Sequence, residues 1–244
     1  MDLAISCRRL TKYYDGVLAL DRLDLSVPAG ELWGLVGPNG AGKTTTLRML
    51  CGILRPTLGT AQIMGIDVSS SPEEAKSHIG YVPENPSLFR SLTVREYLTF
   101  AAELHSIPQS TFESNYSRYV SFFDLEGYED QYIGSLSKGW LQRTTLCGVM
   151  LREPDVFLLD EPFYGLDPSG AYTLKKVLNE VLETGRTVLI STNMLDVTEK
   201  LCTHFTILND GRVVAEGRLE ELLEEADSDA LEEALLRLTG RTIE

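Results

Sequence analysis

Gly37-Pro-Asn-Gly-Ala-Gly-Lys-Thr44 fits the pattern G-x-x-x-x-G-K-[ST], the phosphate-binding loop. Leu32-Trp-Gly-Leu-Val36 precedes it, a short apolar run that reads as a buried strand. Thr45-Thr-Leu-Arg-Met-Leu50 follows and reads as the start of a helix. Strand, glycine loop and helix are the context in which such a loop works. The physics is local. Gly37, Gly40 and Gly42 carry no Cβ, so the backbone can approach a ligand closely. Successive N–H groups, including those of Asn39 and Ala41, can turn inward as an anion nest, and the new helix adds its unpaired N–H groups at Thr44 and Thr45. Lys43 brings a full charge to the β- and γ-phosphates, and the Thr44 hydroxyl suits a Mg²⁺ ion. A triphosphate ligand follows from this loop; what its binding accomplishes does not.

The bulk properties narrow the classes. The chain has 244 residues, room for one large domain or a domain with a subdomain. No apolar run approaches the ~20 residues that span a membrane, and Met1-Asp-Leu-Ala-Ile-Ser-Cys-Arg-Arg9 lacks a basic-then-apolar signal layout. The four cysteines, Cys7, Cys51, Cys147 and Cys202, form no C-x-x-C pair and read as buried thiols of a reducing compartment, not as a zinc site. A net charge of -14 argues against a nucleic-acid partner. Nine acidic residues fall between Glu216 and Glu233, which reads as a solvated helical face.

The periodicity predicts an α/β chain. Residues 3–30 alternate apolar and polar as antiparallel strands, with Pro28-Ala-Gly30 turning into the strand before the loop. Thr60–Met64 and Ile79–Val82 read as strands. Helices are expected at Val94–Leu104, at Phe112–Phe123 with Tyr116, Val120 and Phe123 on one side, and at Trp140–Leu151, making about 90–150 a helical insert. Strands then resume at Val156–Leu159 and Thr187–Ile190, followed respectively by helices at Ala171–Glu183 and Met194–Cys202. A hairpin is expected at Phe205–Ala215, then two short helices over 218–239 broken near Asp227-Ser228. The expected fold is a P-loop NTPase core with a parallel sheet, an N-terminal antiparallel β subdomain and a helical insert.

A phosphate loop needs a carboxylate at the end of an apolar strand to hold Mg²⁺. Val156-Phe-Leu-Leu-Asp160 supplies it, with Asp160 reaching the metal through water or Thr44. Glu161 follows at once, placed to polarise an attacking water.

Leu136-Ser-Lys-Gly-Trp-Leu-Gln-Arg143, lying shortly before that strand, resembles the signature segment of ABC ATPases, the nucleotide-binding subunits of ABC transporters. Gly165-Leu-Asp167 resembles the family's D-loop, Val82-Pro-Glu84 its Q-loop and Leu189-Ile-Ser-Thr-Asn193 its switch-histidine segment. Tyr14 occupies the place of the aromatic that stacks on adenine, with Tyr13 as the alternative and core packing as the plain reading. The resemblance runs from about Leu3 to Gly217, so residues 1–217 are expected to form the ATPase domain and 218–244 a short helical extension. It implies two subunits joined head to tail around ATP and Mg²⁺. Ser137 and Gly139 of one subunit, with Asp167 nearby, would then face the phosphate loop of the other. It also implies a separate transmembrane permease and a peripheral place on the cytoplasmic face of the membrane.

Four residues in three motifs depart from the family pattern. Glu84 stands for the usual Gln: it can still ligate Mg²⁺ or orient water, but it adds negative charge. With the C-terminal Leu231–Gly240 run, it resembles bacterial drug and lipid exporters. Lys138 and Trp140 alter L-S-G-G-Q; Lys138 adds charge toward the opposed nucleotide or is solvated, and Trp140 fills an apolar gap. Asn193 replaces the switch histidine and cannot carry an imidazolium charge. Slow hydrolysis, or a nucleotide-gated subunit that barely turns ATP over, follows as an alternative to an active exporter ATPase. A non-transport ABC protein is the third class. Ser87-Leu-Phe-Arg-Ser-Leu92 either packs in the core or lines the family's groove for a permease helix.

Overall fold

The computed structural model describes residues 2–240. The expected domain limits 1–217 and 218–244 therefore include residues 1 and 241–244, which lie outside the described residues. The chain opens with the antiparallel pair β1 (Leu3–Tyr14) and β2 (Val17–Pro28), then β3 (Leu32–Val36), α1 (Lys43–Leu50), β4 (Leu58–Ile63) and β5 (Ile66–Asp67). Next come α2 (Pro72–Ser77), β6 (Ile79–Val82), α3 (Val94–Leu104), α4 (Gln109–Phe122), a 3-10 turn (Ile133–Ser135) and α5 (Lys138–Met150). The last part runs β7 (Val156–Asp160), α6 (Pro168–Glu183), β8 (Thr187–Thr192), α7 (Leu195–Thr198), β9 (His204–Asn209), β10 (Arg212–Arg218), α8 (Leu219–Ala226) and α9 (Leu231–Leu238).

The strands build two sheets. One is antiparallel, in the order β2-β1-β4-β5; the other has six strands in the order β10-β9-β3-β8-β7-β6, all parallel except β10. The central strands β3, β7 and β8 are buried throughout, as expected of parallel strands covered on both faces. Their side chains alternate between two cores. Val36, Phe157, Leu159 and Ile190 face the helices α3 to α6, whereas Leu35, Leu158 and Leu189 face α1 and the antiparallel sheet. Each fully buried Leu or Phe contributes about 1.5–3 kcal/mol, so the six-stranded sheet is the rigid floor of the molecule. A Cβ at Gly34 would stand 2.6 Å from the Phe205 ring, so β3 and β9 approach as closely as they do because that position carries no side chain.

Several elements extend or shrink relative to expectation. Helix α6 begins three residues before Ala171, because Asp167 caps it by accepting from the Gly170 N–H and Pro168 occupies its first turn. Helix α4 begins at Gln109, and its buried face is Asn115, Tyr119 and Val120; Tyr116 is only half-buried. The helix expected over Met194–Cys202 is a correction: α7 holds only Leu195–Thr198. Leu201 and Cys202 both donate to the Thr198 carbonyl, so the chain closes in a turn and enters β9. Periodicity also missed β5 and α2. The four cysteines are free and buried. No helix among the described residues is long and apolar enough to cross a membrane.

Candidate nucleotide site

The parallel strands end at one edge of the sheet, where α/β folds gather their ligand groups. Val36 of β3 pairs with Thr192 of β8, and Asp160 of β7 pairs with Ser191. The phosphate loop leaves β3 at this edge. The result is a cleft of about 430 Å³ lined by Ala19, Asn39, Gly40, Ala41, Gly42, Lys43, Thr44, Thr45, Glu84, Glu161, Tyr164 and Asn193. Helix α1 starts here with no side-chain cap, because its N-cap residue is Gly42 at φ 106°. The first-turn N–H groups are therefore free of a competing side chain. A Cβ on Gly37 would lie 2.1 Å from the Leu208 carbonyl oxygen, which explains glycine there on packing grounds alone.

Lys43 is buried and folds back on its own loop, donating to the carbonyls of Gly37 at 2.6 Å and Pro38 at 3.2 Å. Burial pushes its pKa down, while the carboxylates of Glu161, Asp160 and Glu84 hold it up. Asp160 is the pivot. Its Oδ1 accepts from the Thr44 hydroxyl at 3.1 Å and from the Ser191 hydroxyl, whereas its Oδ2 is buried without a partner. A buried carboxylate oxygen left unsatisfied beside a hydroxyl is a donor set suited to a hard divalent cation. Thr44 and Asp160 thus fit Mg²⁺, and Glu84 lines the same cleft.

Glu161 adopts φ 48°, unusual for a side chain of its size, with its N–H donating to the Ser191 carbonyl at 2.8 Å. This turn sends its carboxylate into the cleft, where Oε2 accepts from the Thr192 hydroxyl at 2.6 Å and Oε1 from the Asn193 N–H at 2.9 Å. Burial raises its pKa; the bonds from Thr192 and Asn193 and the charge of Lys43 oppose the rise. A raised carboxyl pKa moves a general base toward its working pH. The Asn193 side chain spans the cleft and donates from Nδ2 to Asn39 Oδ1 at 3.2 Å.

The remaining expected residues lie elsewhere. Tyr14 is exposed and outside the cleft lining, with the Lys12 ammonium 5.3 Å above its ring; Tyr13 is equally exposed. Ser137 is the exposed N-cap of α5, accepting from the Trp140 N–H, and Gly139 sits in the first turn behind it. Asp167 accepts from Arg143 at 2.7 Å, and that guanidinium holds its carboxyl below the usual range. Trp140 stacks on Tyr128 with ring centroids 3.9 Å apart. Leu88 lines a separate groove with Ile133, Leu136 and Leu141, and Phe89 stands exposed against the edge of Phe100.

Sequence reasoning missed Ala19, Tyr164, Ser191, Thr192 and Arg143. Ser191 and Thr192 lie inside the switch segment already singled out, and parallel pairing of its strand with Asp160 would have found them. Arg143 ends the signature segment already singled out, but nothing in the spacing assigned it a role. Its side chain is 6% exposed, bonding Asp124 at 2.5 Å, Asp167 at 2.7 Å, Ser169 at 2.9 Å and the Phe123 carbonyl at 3.2 Å.

The ABC transporter family profile matches residues 20–164. The Nod factor export ATP-binding protein I of Burkholderia orbicola (strain AU 1054) is 37% identical over 229 residues, 93% of this chain and 75% of that protein. The daunorubicin/doxorubicin resistance ATP-binding protein DrrA of Streptomyces peucetius is 35% identical, over 93% of this chain and 69% of that one. A solved ATP-binding subunit of an ABC transporter superposes with a TM-score of 0.92 at 32% identity, covering 97% of this chain and 99% of that chain. With the phosphate loop, the Asp160-Glu161 strand end and the sheet order in place, these likenesses make the chain a member of the ABC transporter family, an ATP-binding subunit resembling the bacterial drug- and lipid-exporter branch.

Proposed function

We propose that this chain hydrolyses ATP to drive export through a separate membrane permease, working as a head-to-tail dimer on the cytoplasmic face. The observation that carries the reading is the cleft lined by Lys43, Thr44 and Glu161, with Asp160 buried behind it and bonded to Thr44. Gly37 to Thr45 receive the phosphates, with Lys43 leaving its loop carbonyls for the β- and γ-oxygens. Thr44, Asp160 and Glu84 would hold Mg²⁺, which would supply positive charge against the phosphoryl oxygens. Glu161 takes the proton of the attacking water, and Asn193 holds the γ-phosphate with a neutral hydrogen bond. Ser137 is exposed and Gly139 half-buried at the N-terminus of α5, and neither lines its own cleft. That placement supports their serving the partner's nucleotide, with Asp167 fixing α6 beside them. Tyr14 stacks on adenine. The groove at Leu88 receives the permease, and residues 1–217 act as the ATPase domain with a helical extension behind.

Asn193 favours a second reading, in which ATP closes the dimer and hydrolysis is very slow, the neutral amide giving weaker γ-phosphate stabilisation. The test is phosphate release and ATP-dependent dimer formation by the purified chain and by Glu161→Gln. The proposal expects release by the parent, and a persistent dimer without release from Glu161→Gln. Dimers without release from the parent select the second reading. Equal release from both proteins refutes the role of Glu161.

A further inference from the structure

We infer that Lys138 and Tyr164 form a positioning pair that couples the nucleotide cleft to the Ser137–Gly139 segment; the inference rests on the proposed dimer mechanism. The Lys138 ammonium sits 3.7 Å from the centre of the Tyr164 ring, a close cation–π contact. The same ring lines the cleft beside Glu161 and Asn193. Tyr164 is also tied directly to Glu161, donating its N–H to the Glu161 carbonyl at 3.0 Å. Tyr164 is therefore joined through its backbone to the hydrolytic turn and through its ring to the first residue of α5.

The contact is built into the backbone on both sides. Gly165 (φ 84°) packs under the Lys138 stem, where an added Cβ would meet Cγ at 3.2 Å, and a Cβ on Gly139 would lie 2.9 Å from the Gly165 carbonyl oxygen. Two glycines let the helix start and the turn approach to this distance. One helical turn further on, Gln142 donates to the Pro162 carbonyl at 3.2 Å, a second tie between the turn after Glu161 and the start of α5. A lysine in the first turn of a helix opposes the macrodipole, and α5 has no acidic residue in that turn to compensate. The Tyr164 face supplies the missing negative potential and holds the ammonium in place. Nucleotide in the cleft thereby sets the position of the segment that meets the partner's ATP.

Lys138→Met, Tyr164→Leu and the double variant test this, with Lys138→Arg and Tyr164→Phe as conservative replacements. ATP turnover per subunit is measured at saturating ATP. ATP-dependent dimerisation is measured in the Glu161→Gln background, and nucleotide affinity on dilute, monomeric protein. Turnover is expected to fall about two- to fivefold in each disruptive variant, with a matching loss of dimer affinity. The double variant should fall no further, since the two changes remove one contact. The conservative variants should restore the parent value, and monomer affinity should stay unchanged in Lys138→Met, which lies outside the cleft lining. Additive losses, unchanged dimerisation or a loss of monomer affinity in Lys138→Met would overturn the pairing. If Glu161→Gln retains parent turnover, the hydrolytic reading itself fails, whatever the Lys138 variants do.

Discussion

Replacing Asn193 by histidine is the sharpest test of how this cleft handles the γ-phosphate. The loop that carries Asn193 is held by backbone and by Thr192, both bonded to Glu161, so the side chain can change without moving the loop. The loss is one neutral bond at 3.2 Å to Asn39 on an exposed side chain, at the low end of the about 0.5–1.5 kcal/mol such bonds contribute. The gain is a charge-assisted bond to phosphate, about 1.5–3 kcal/mol against the neutral amide's 0.5–1.5. The difference, about 1–1.5 kcal/mol of transition-state stabilisation, predicts a rise of about five- to tenfold in kcat. Imidazolium is populated only below about pH 6.5, so the gain over parent should be largest near pH 6 and shrink by pH 8. Continuous phosphate-release assays at saturating ATP across that range measure both. A variant at or below parent turnover at pH 6, or a gain that grows with pH, refutes the reasoning.

Glu161→Gln makes a second pH-dependent prediction. Burial raises the Glu161 pKa above its ordinary 4.5, so its contribution to stability is present below that value and lost as pH climbs through the raised native one. The variant should melt higher than parent at pH 7 with the difference vanishing near pH 4; a flat difference counts against the buried charge. Arg143→Ala removes a buried cation whose partners, Asp124 and Asp167, are 58% and 61% exposed and stay solvated. Its cost should therefore be about 1–3 kcal/mol, below the 3–5 typical when a charge is stranded in the interior, as read from urea unfolding. Burial pushes the Cys7 thiol up to about 12 and the other three thiols up as well, so a thiol reagent should label none of the four until the protein unfolds.

The chain's own order of residues was enough to place the phosphate loop, because its chemistry lies within eight consecutive positions and the flanking periodicities are local. The same holds for helix α3, whose Thr93–Glu96 capping box marks its start, and for the break at Asp227, whose φ of 50° separates α8 from α9. Glu161 and Asp160 were legible because an apolar strand ends on them. Three kinds of fact needed the tertiary structure. The strand order β10-β9-β3-β8-β7-β6 depends on pairings between distant segments, which alternation along one strand cannot encode. The bond from Thr44 to Asp160 spans 116 positions and leaves the other carboxylate oxygen buried without a partner, which is decided only once all neighbours are placed. The contact of Lys138 with Tyr164 exists because the first turn of α5 and the Gly165 turn meet in space, and no spacing along the chain measures that approach. Local covalent order specified which groups are available; long-range packing determined which of them meet, and at what distance their charges act.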